Sequence, residues 1–120
     1  MARILVADDD VDYLTAFSEG MEVLGHDVVC ASSSEDVNRI LSETKFDAIF
    51  LDVVMPGGGA ISLVHSVRQH DSEVPVIVIT GRPELINSPL FREGMRQAQA
   101  KLQKTATLQE LDSLVRRLTE

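Results

Sequence analysis

The sequence predicts an α/β protein, a five-stranded parallel sheet with helices on both faces. Three observations carry this. Short, almost wholly apolar runs recur at Ile4–Ala7, Ala48–Leu51 and Val76–Ile79, as expected of strands buried on both faces. Between and after them lie segments whose apolar residues repeat at helical spacing. Each run also ends in a polar group: Asp8-Asp9-Asp10, Asp52 and Thr80. In a parallel sheet these groups converge on one edge, the carboxyl edge where open α/β sheets place their ligands.

Taken in order, Arg3–Ala7 is the first strand. Leu14, Phe17, Met21 and Leu24, spaced 3, 4 and 3 apart, mark a helix from Val11 to Leu24 that Gly25-His26 ends. His26 reads as a solvated turn histidine. Asp27–Ala31 is the second strand. Ser32-Ser33-Ser34-Glu35-Asp36 supplies N-cap candidates for a helix to Glu43 whose core face is Val37, Ile40 and Leu41. Ala48–Asp52 is the central strand, stopped by Pro56 and Gly57-Gly58-Gly59. A helix follows from Ala60 to His70, with Ile61, Val64 and Val67 inward and His65 and His70 on the surface.

Pro75 precedes the fourth strand, Val76–Thr80. Pro83 and Pro89 then interrupt the chain. Ser88-Pro89 has the pattern of an N-cap with proline at the first helical position, so the fourth helix is expected to be short or irregular and to end near Met95. Propensity favours a helix over Gln97–Gln103. Ala98, Ala100 and Leu102 nevertheless alternate with Gln99, Lys101 and Gln103, as in a half-exposed edge strand. Thr107 and Glu110 have capping-box spacing, and Leu108, Leu111, Leu114, Val115 and Leu118 form the stripe of a last helix. The result is a three-layer sandwich with right-handed crossovers.

At 120 residues the chain is expected to form one domain, residues 1–120. No apolar run approaches the ~20 residues of a membrane helix, and no signal peptide is visible, so a soluble, cytoplasmic protein is expected. The single cysteine, Cys30, excludes an internal disulfide and reads as a buried structural thiol. A net charge of −8 argues against nucleic-acid binding by this domain. Residues 1–80 hold 14 acidic against 4 basic side chains, and residues 81–120 hold 5 acidic against 7 basic. The acidic half suggests a cation site, although solvation alone accounts for many surface carboxylates.

Asp8-Asp9-Asp10 after the first strand, Asp52 with Met55-Pro56 behind it, Thr80 after the fourth strand and Lys104 after the fifth form an ordered set. The whole chain, Arg3 to Leu118, resembles on these residues the receiver domain of two-component response regulators. The resemblance implies a strand order of 2-1-3-4-5. It also implies phosphorylation of Asp52 by a histidine kinase or phosphotransfer protein, and a signalling element that promotes its own phosphorylation and dephosphorylation without being a turnover enzyme. Crowded carboxylates repel unless a cation sits among them, and Asp8, Asp9 and Asp52 make a hard oxygen site suited to Mg²⁺. By resemblance Asp9, Asp52 and the Val54 backbone carbonyl are direct ligands, and Asp8 acts through a bound water. Lys104 brings positive charge to the phosphoryl group and Thr80 a hydroxyl donor.

Other readings stand beside this one. Asp10 and Asp12 fit first-turn helix residues better than ligands. A nucleotide binder of this fold needs glycines or hydroxyls after the first strand, where three aspartates stand. A haloacid-dehalogenase-type phosphatase needs a second Asp at the position of Val54. A receiver-like binding module, with output largely independent of phosphorylation, stays open. The departures from the family concern readout: Lys101 where an aromatic residue is usual, Thr105 where a cis proline is usual, and Ala60 where glycine is common. Arg92, Arg96, Lys101, Arg116 and Arg117 on the last helices and strand suit an acidic protein partner, or are ordinary solvated charges.

Overall fold

The computed structural model describes residues 2–53, 60–82, 84, 89–94 and 96–119. Val54, Met55-Pro56, Gly57-Gly58-Gly59, Pro83, Ser88, Met95 and the side chain of Ile61 lie outside the described residues. Among the described residues five strands, β1 (Arg3–Ala7), β2 (Asp27–Ala31), β3 (Ala48–Asp52), β4 (Val76–Thr80) and β5 (Ala100–Gln103), alternate with five helices. These are α1 (Val11–Val23), α2 (Ser34–Glu43), α3 (Ala60–His70), the six-residue α4 (Pro89–Gly94) and α5 (Leu108–Thr119). The sheet is parallel throughout, in the order β2-β1-β3-β4-β5.

Side-chain alternation along the strands divides the core in two. Ile4, Val6, Ala48, Phe50, Ile77 and Ile79 pack against Leu14, Phe17 and Met21 of α1 and Leu111, Leu114 and Val115 of α5. Leu5, Ala7, Ile49, Leu51, Val76 and Val78 pack on the other face against Val37 of α2 and Leu63, Val64 and Val67 of α3. All residues of β3 and β4 are buried, which explains why both read as unbroken apolar runs.

The helix ends follow local chemistry. Asp10 caps α1, accepting from Tyr13 N at 3.2 Å, so it is a cap rather than a ligand. At the other end, Gly25 at φ 98° closes the helix. Its N–H donates to Glu22 O, and His26 N donates to Met21 O, the paired bonds of a Schellman motif. Ser33 caps α2. Thr107 and Glu110 each accept the other's backbone N–H at 3.1 Å, which completes the capping box of α5. Gly20 has a packing reason: a Cβ there would lie 2.4 Å from Leu108 Cδ1, so α5 begins directly against the glycine of α1.

Three expectations need correction. His26 is buried, 3% exposed. Its Nδ1 accepts from Ala2 N at 3.0 Å and its Nε2 lies 2.6 Å from Asp112 Oδ1. Because Ala2 N–H can only donate, the ring proton belongs on Nε2 and goes to Asp112. The histidine thus joins the chain start to α5. Cys30 is exposed, because β2 is an edge strand; partial burial pushes its thiol up, so it is no reactive thiolate. Finally, β5 begins at Ala100, so the expected alternation from Ala98 starts two residues too early. Ala98 packs on the α2/α3 face while Ala100 and Leu102 pack on the other, so the alternation breaks at Gln99. Arg68 of α3 explains the break: it donates to Val74 O at 2.7 Å, Gln97 O at 2.8 Å and Gln99 Oε1 at 3.1 Å. Gln99 Oε1 also accepts from Val76 N, so residues 97–99 are held by side-chain bonds that a period-two pattern cannot reveal.

Candidate functional site

The pairing register sets the site. Ala7 is level with Leu51, so Asp8 and Asp52 leave the sheet side by side. Asp52 is level with Ile79, and Thr80 with Gln103, so Thr80 and then Lys104 stand just above them. Two backbone bonds extend this edge: Val53 N donates to Ile79 O at 3.2 Å, and Lys104 N to Thr80 O at 2.8 Å.

Asp8 is fully buried and Asp52 is 7% exposed. Asp9 lies on the surface. Each of the three offers an oxygen within 4.8 Å of the others'. Asp8 Oδ1 accepts from Asp10 N at 2.9 Å. Its Oδ2 is buried without a hydrogen-bond partner of acceptable geometry, although Lys104 Nζ lies 2.7 Å away as an ion pair. Lys104 meets Asp52 Oδ1 only at 3.9 Å. An enclosed carboxylate oxygen beside two more carboxylates is a donor set that fits a hard divalent cation.

Burial, then the charge of Asp8, raises the Asp52 carboxyl to about 6, against the opposing pull of Lys104. Burial pulls the Lys104 ammonium down, but Asp8 and then Asp52 carry it above its ordinary value overall. The crowding of negative charge is therefore only partly answered by Lys104.

Thr80 is 2% exposed, and its hydroxyl is occupied. Oγ1 accepts from Arg82 N at 2.8 Å and donates to Arg82 O at 3.3 Å. The expected site residues Asp8, Asp9, Asp52, Thr80 and Lys104 thus converge, and Val54 lies outside the described residues. The Lys104–Thr105 bond is trans, as are all described peptide bonds. Sequence reasoning missed Tyr13. Its ring lies 5.1 Å from Lys104 Nζ, and burial with the charges of Asp8 and Asp52 pushes its phenol up to about 12. No local pattern pointed to it: Tyr13 lies in the first turn of α1, and its partner Lys104 follows β5 at the far end of the sequence.

Residues 4–116 match the response regulator receiver domain. Among curated proteins, the transcriptional regulatory protein PrrA of Mycobacterium leprae is 39% identical over 80 residues, 67% of this chain and 34% of that protein. The DNA-binding transcriptional regulator NtrC of Azospirillum brasilense is 32% identical over 116 residues, 97% of this chain and 24% of that protein. The chain thus spans about a third or less of the length of these relatives. A receiver domain from Clostridium thermocellum superimposes with a TM-score of 0.87 at 28% identity, covering 99% of this chain and 94% of that one. TrrA of Thermotoga maritima, solved in complex with Mg²⁺-BeF, gives 0.86 at 24% identity, covering 98% and 99%. Fold, strand order and sequence agree: the chain belongs to the receiver-domain family of response regulators, signalling proteins of two-component systems.

Proposed function

We infer that residues 1–120 act as one receiver domain that accepts a phosphoryl group on Asp52 from the phosphohistidine of a histidine kinase or phosphotransfer protein. The observation that carries this is the convergence of three carboxylates within 4.8 Å with Lys104 Nζ 2.7 Å from Asp8. An Asp52 oxygen attacks phosphorus, the bond to the donor nitrogen breaks, and an acyl phosphate forms on Asp52. Asp8, Asp9 and Asp52, with the Val54 carbonyl, would hold Mg²⁺, which would supply charge neutralisation for the phosphoryl group. Lys104 adds a second positive charge. Thr80 can donate to a phosphoryl oxygen once its hydroxyl releases the Arg82 carbonyl. Loss of the phosphoryl group to water is promoted by the same edge, and a cytoplasmic setting accords with such a partner.

The same reading includes an acidic protein partner on the α4–β5–α5 surface. Arg116 is held by Asp112 at 3.0 Å and Arg96 by Glu93 at 3.1 Å, so part of that positive charge is already met within its own segment. Lys101, half-buried, and exposed Arg117 support it.

Intact mass after incubation with acetyl phosphate and Mg²⁺ tests the main reading. One phosphoryl group should appear on the wild type and none on Asp52→Asn. Equal labelling of the two would remove Asp52 from the role.

A further inference from the structure

Lys104 is held from two sides. Its ammonium meets the buried Oδ2 of Asp8 at 2.7 Å, and the centroid of the Tyr13 ring lies 5.1 Å away. The turn at 104–105 carries no proline; its backbone is held by Lys104 N donating to Thr80 O at 2.8 Å and Ala106 N to Gln103 O at 3.0 Å, and side-chain contacts position the ammonium at the end of the flexible stem. Tyr13 is itself anchored to the site. Its ring centroid is 6.1 Å from that of Phe17, which packs edge-on against Phe50 at 4.9 Å and 65°. Phe50 belongs to β3, the strand that carries Asp52. Beside the lysine runs a groove of about 250 Å³, lined by Tyr13, Phe17, Lys104, Ala106 and Leu108 among others. It would give the lysine stem room to swing off the carboxylates if the ring were removed.

We propose that Tyr13 is a positioning residue for phosphoryl transfer, its ring face holding the Lys104 ammonium at the Asp8–Asp52 edge where a phosphoryl oxygen arrives. This rests on the reading of Asp52 as phosphoacceptor. The contact is made by the ring face and not by the hydroxyl, so phenylalanine should replace tyrosine and leucine should not.

The test compares wild type, Tyr13→Phe and Tyr13→Leu in two measurements. With acetyl phosphate and Mg²⁺, Tyr13→Leu should take up label roughly three- to tenfold more slowly, the range a cation–π contact of this kind supports. Its Mg²⁺ affinity should be unchanged, and Tyr13→Phe should stay within about twofold of wild type. By NMR, the Lys104 Cε protons should show the upfield ring-current shift in wild type and Tyr13→Phe and lose it in Tyr13→Leu, which a general loss of packing would not reproduce in this pattern. Wild-type labelling in Tyr13→Leu, equal slowing in both variants, or Lys104 protons unmoved by Tyr13→Leu would overturn the inference and leave Asp52 as phosphoacceptor. A wild-type protein that takes no label would overturn both.

Discussion

Replacing Asp52 by Asn should make the metal-free protein more stable. The Asp52 carboxyl stands at about 6 in the folded protein against an ordinary 3.8, raised by burial first and by the charge of Asp8 second. A folded-state value above the unfolded one means that the native protein binds this proton more tightly. The protonated form therefore favours the fold below pH 3.8, and that advantage is lost as pH rises through the window from 3.8 to about 6. Above the window the ionised group is a constant cost. At 1.36 kcal/mol per unit the cost is about 3 kcal/mol. Asn has the same shape and no charge, but gives up the 3.9 Å contact with Lys104, a loosely met pair of modest value, which leaves a gain on the order of 2 kcal/mol. Urea unfolding in the presence of chelator should show a midpoint raised by roughly 1 M at about pH 8 and hardly moved at about pH 4. Added Mg²⁺ should narrow the difference, because the wild type keeps all three carboxylates and is stabilised more by binding than the variant. A variant no more stable than wild type near pH 8, or one equally stabilised at both values, would refute the reasoning.

Two further outcomes follow from the same geometry. Asp9→Asn should lose Mg²⁺ affinity yet be no less stable in metal-free buffer, since it relieves repulsion as it removes a ligand; an unchanged Mg²⁺ titration would place the cation elsewhere. His26→Ala should cost roughly 2–4 kcal/mol in urea unfolding, from lost packing and from leaving Ala2 N and Asp112 without the ring. Its labelling by acetyl phosphate should match wild type, because the ring sits at the opposite end of the sheet from Asp52, and a loss of stability under about 0.5 kcal/mol would return His26 to a surface role.

The strands that carry the site were legible because a doubly covered sheet demands continuous apolar runs, and Arg3–Ala7, Ala48–Asp52 and Val76–Thr80 contain little else. Caps were legible for a related reason: the Thr107–Glu110 box is a fixed local spacing with a fixed pair of bonds. What escaped depends on contacts far apart in sequence. His26 is polar and follows a glycine, the signature of a solvated turn, and only α5 folding back over the chain start encloses it. Gln99 reads as one step of an alternating strand, but Arg68 of α3 and the Val76 N–H, both distant in sequence, hold its side-chain oxygen. Tyr13 reads as an ordinary helix residue until the end of β5 brings Lys104 over its ring.

The departures at Lys101 and Thr105 bear on how the site communicates. A ligand shifts a two-state equilibrium only through a difference in its affinity for the two states. Lys101, half-buried opposite Val78 on β5, offers little apolar area whose burial could supply that difference. Thr80 offers another source. Its hydroxyl proton goes to the Arg82 carbonyl and its oxygen takes the Arg82 N–H, so a phosphoryl oxygen on Asp52 that claims the same proton competes directly with the backbone at Arg82. The free energy of that exchange is of hydrogen-bond size, and larger when the acceptor is charged, roughly 1.5–3 kcal/mol. It acts at Arg82, just beyond β4, whereas the Lys104 ammonium is tied to Asp8 and Tyr13 at the other side of the edge. On the proposed reading, phosphorylation of Asp52 would reach Arg82 through this backbone bond, a route that needs no aromatic residue at position 101.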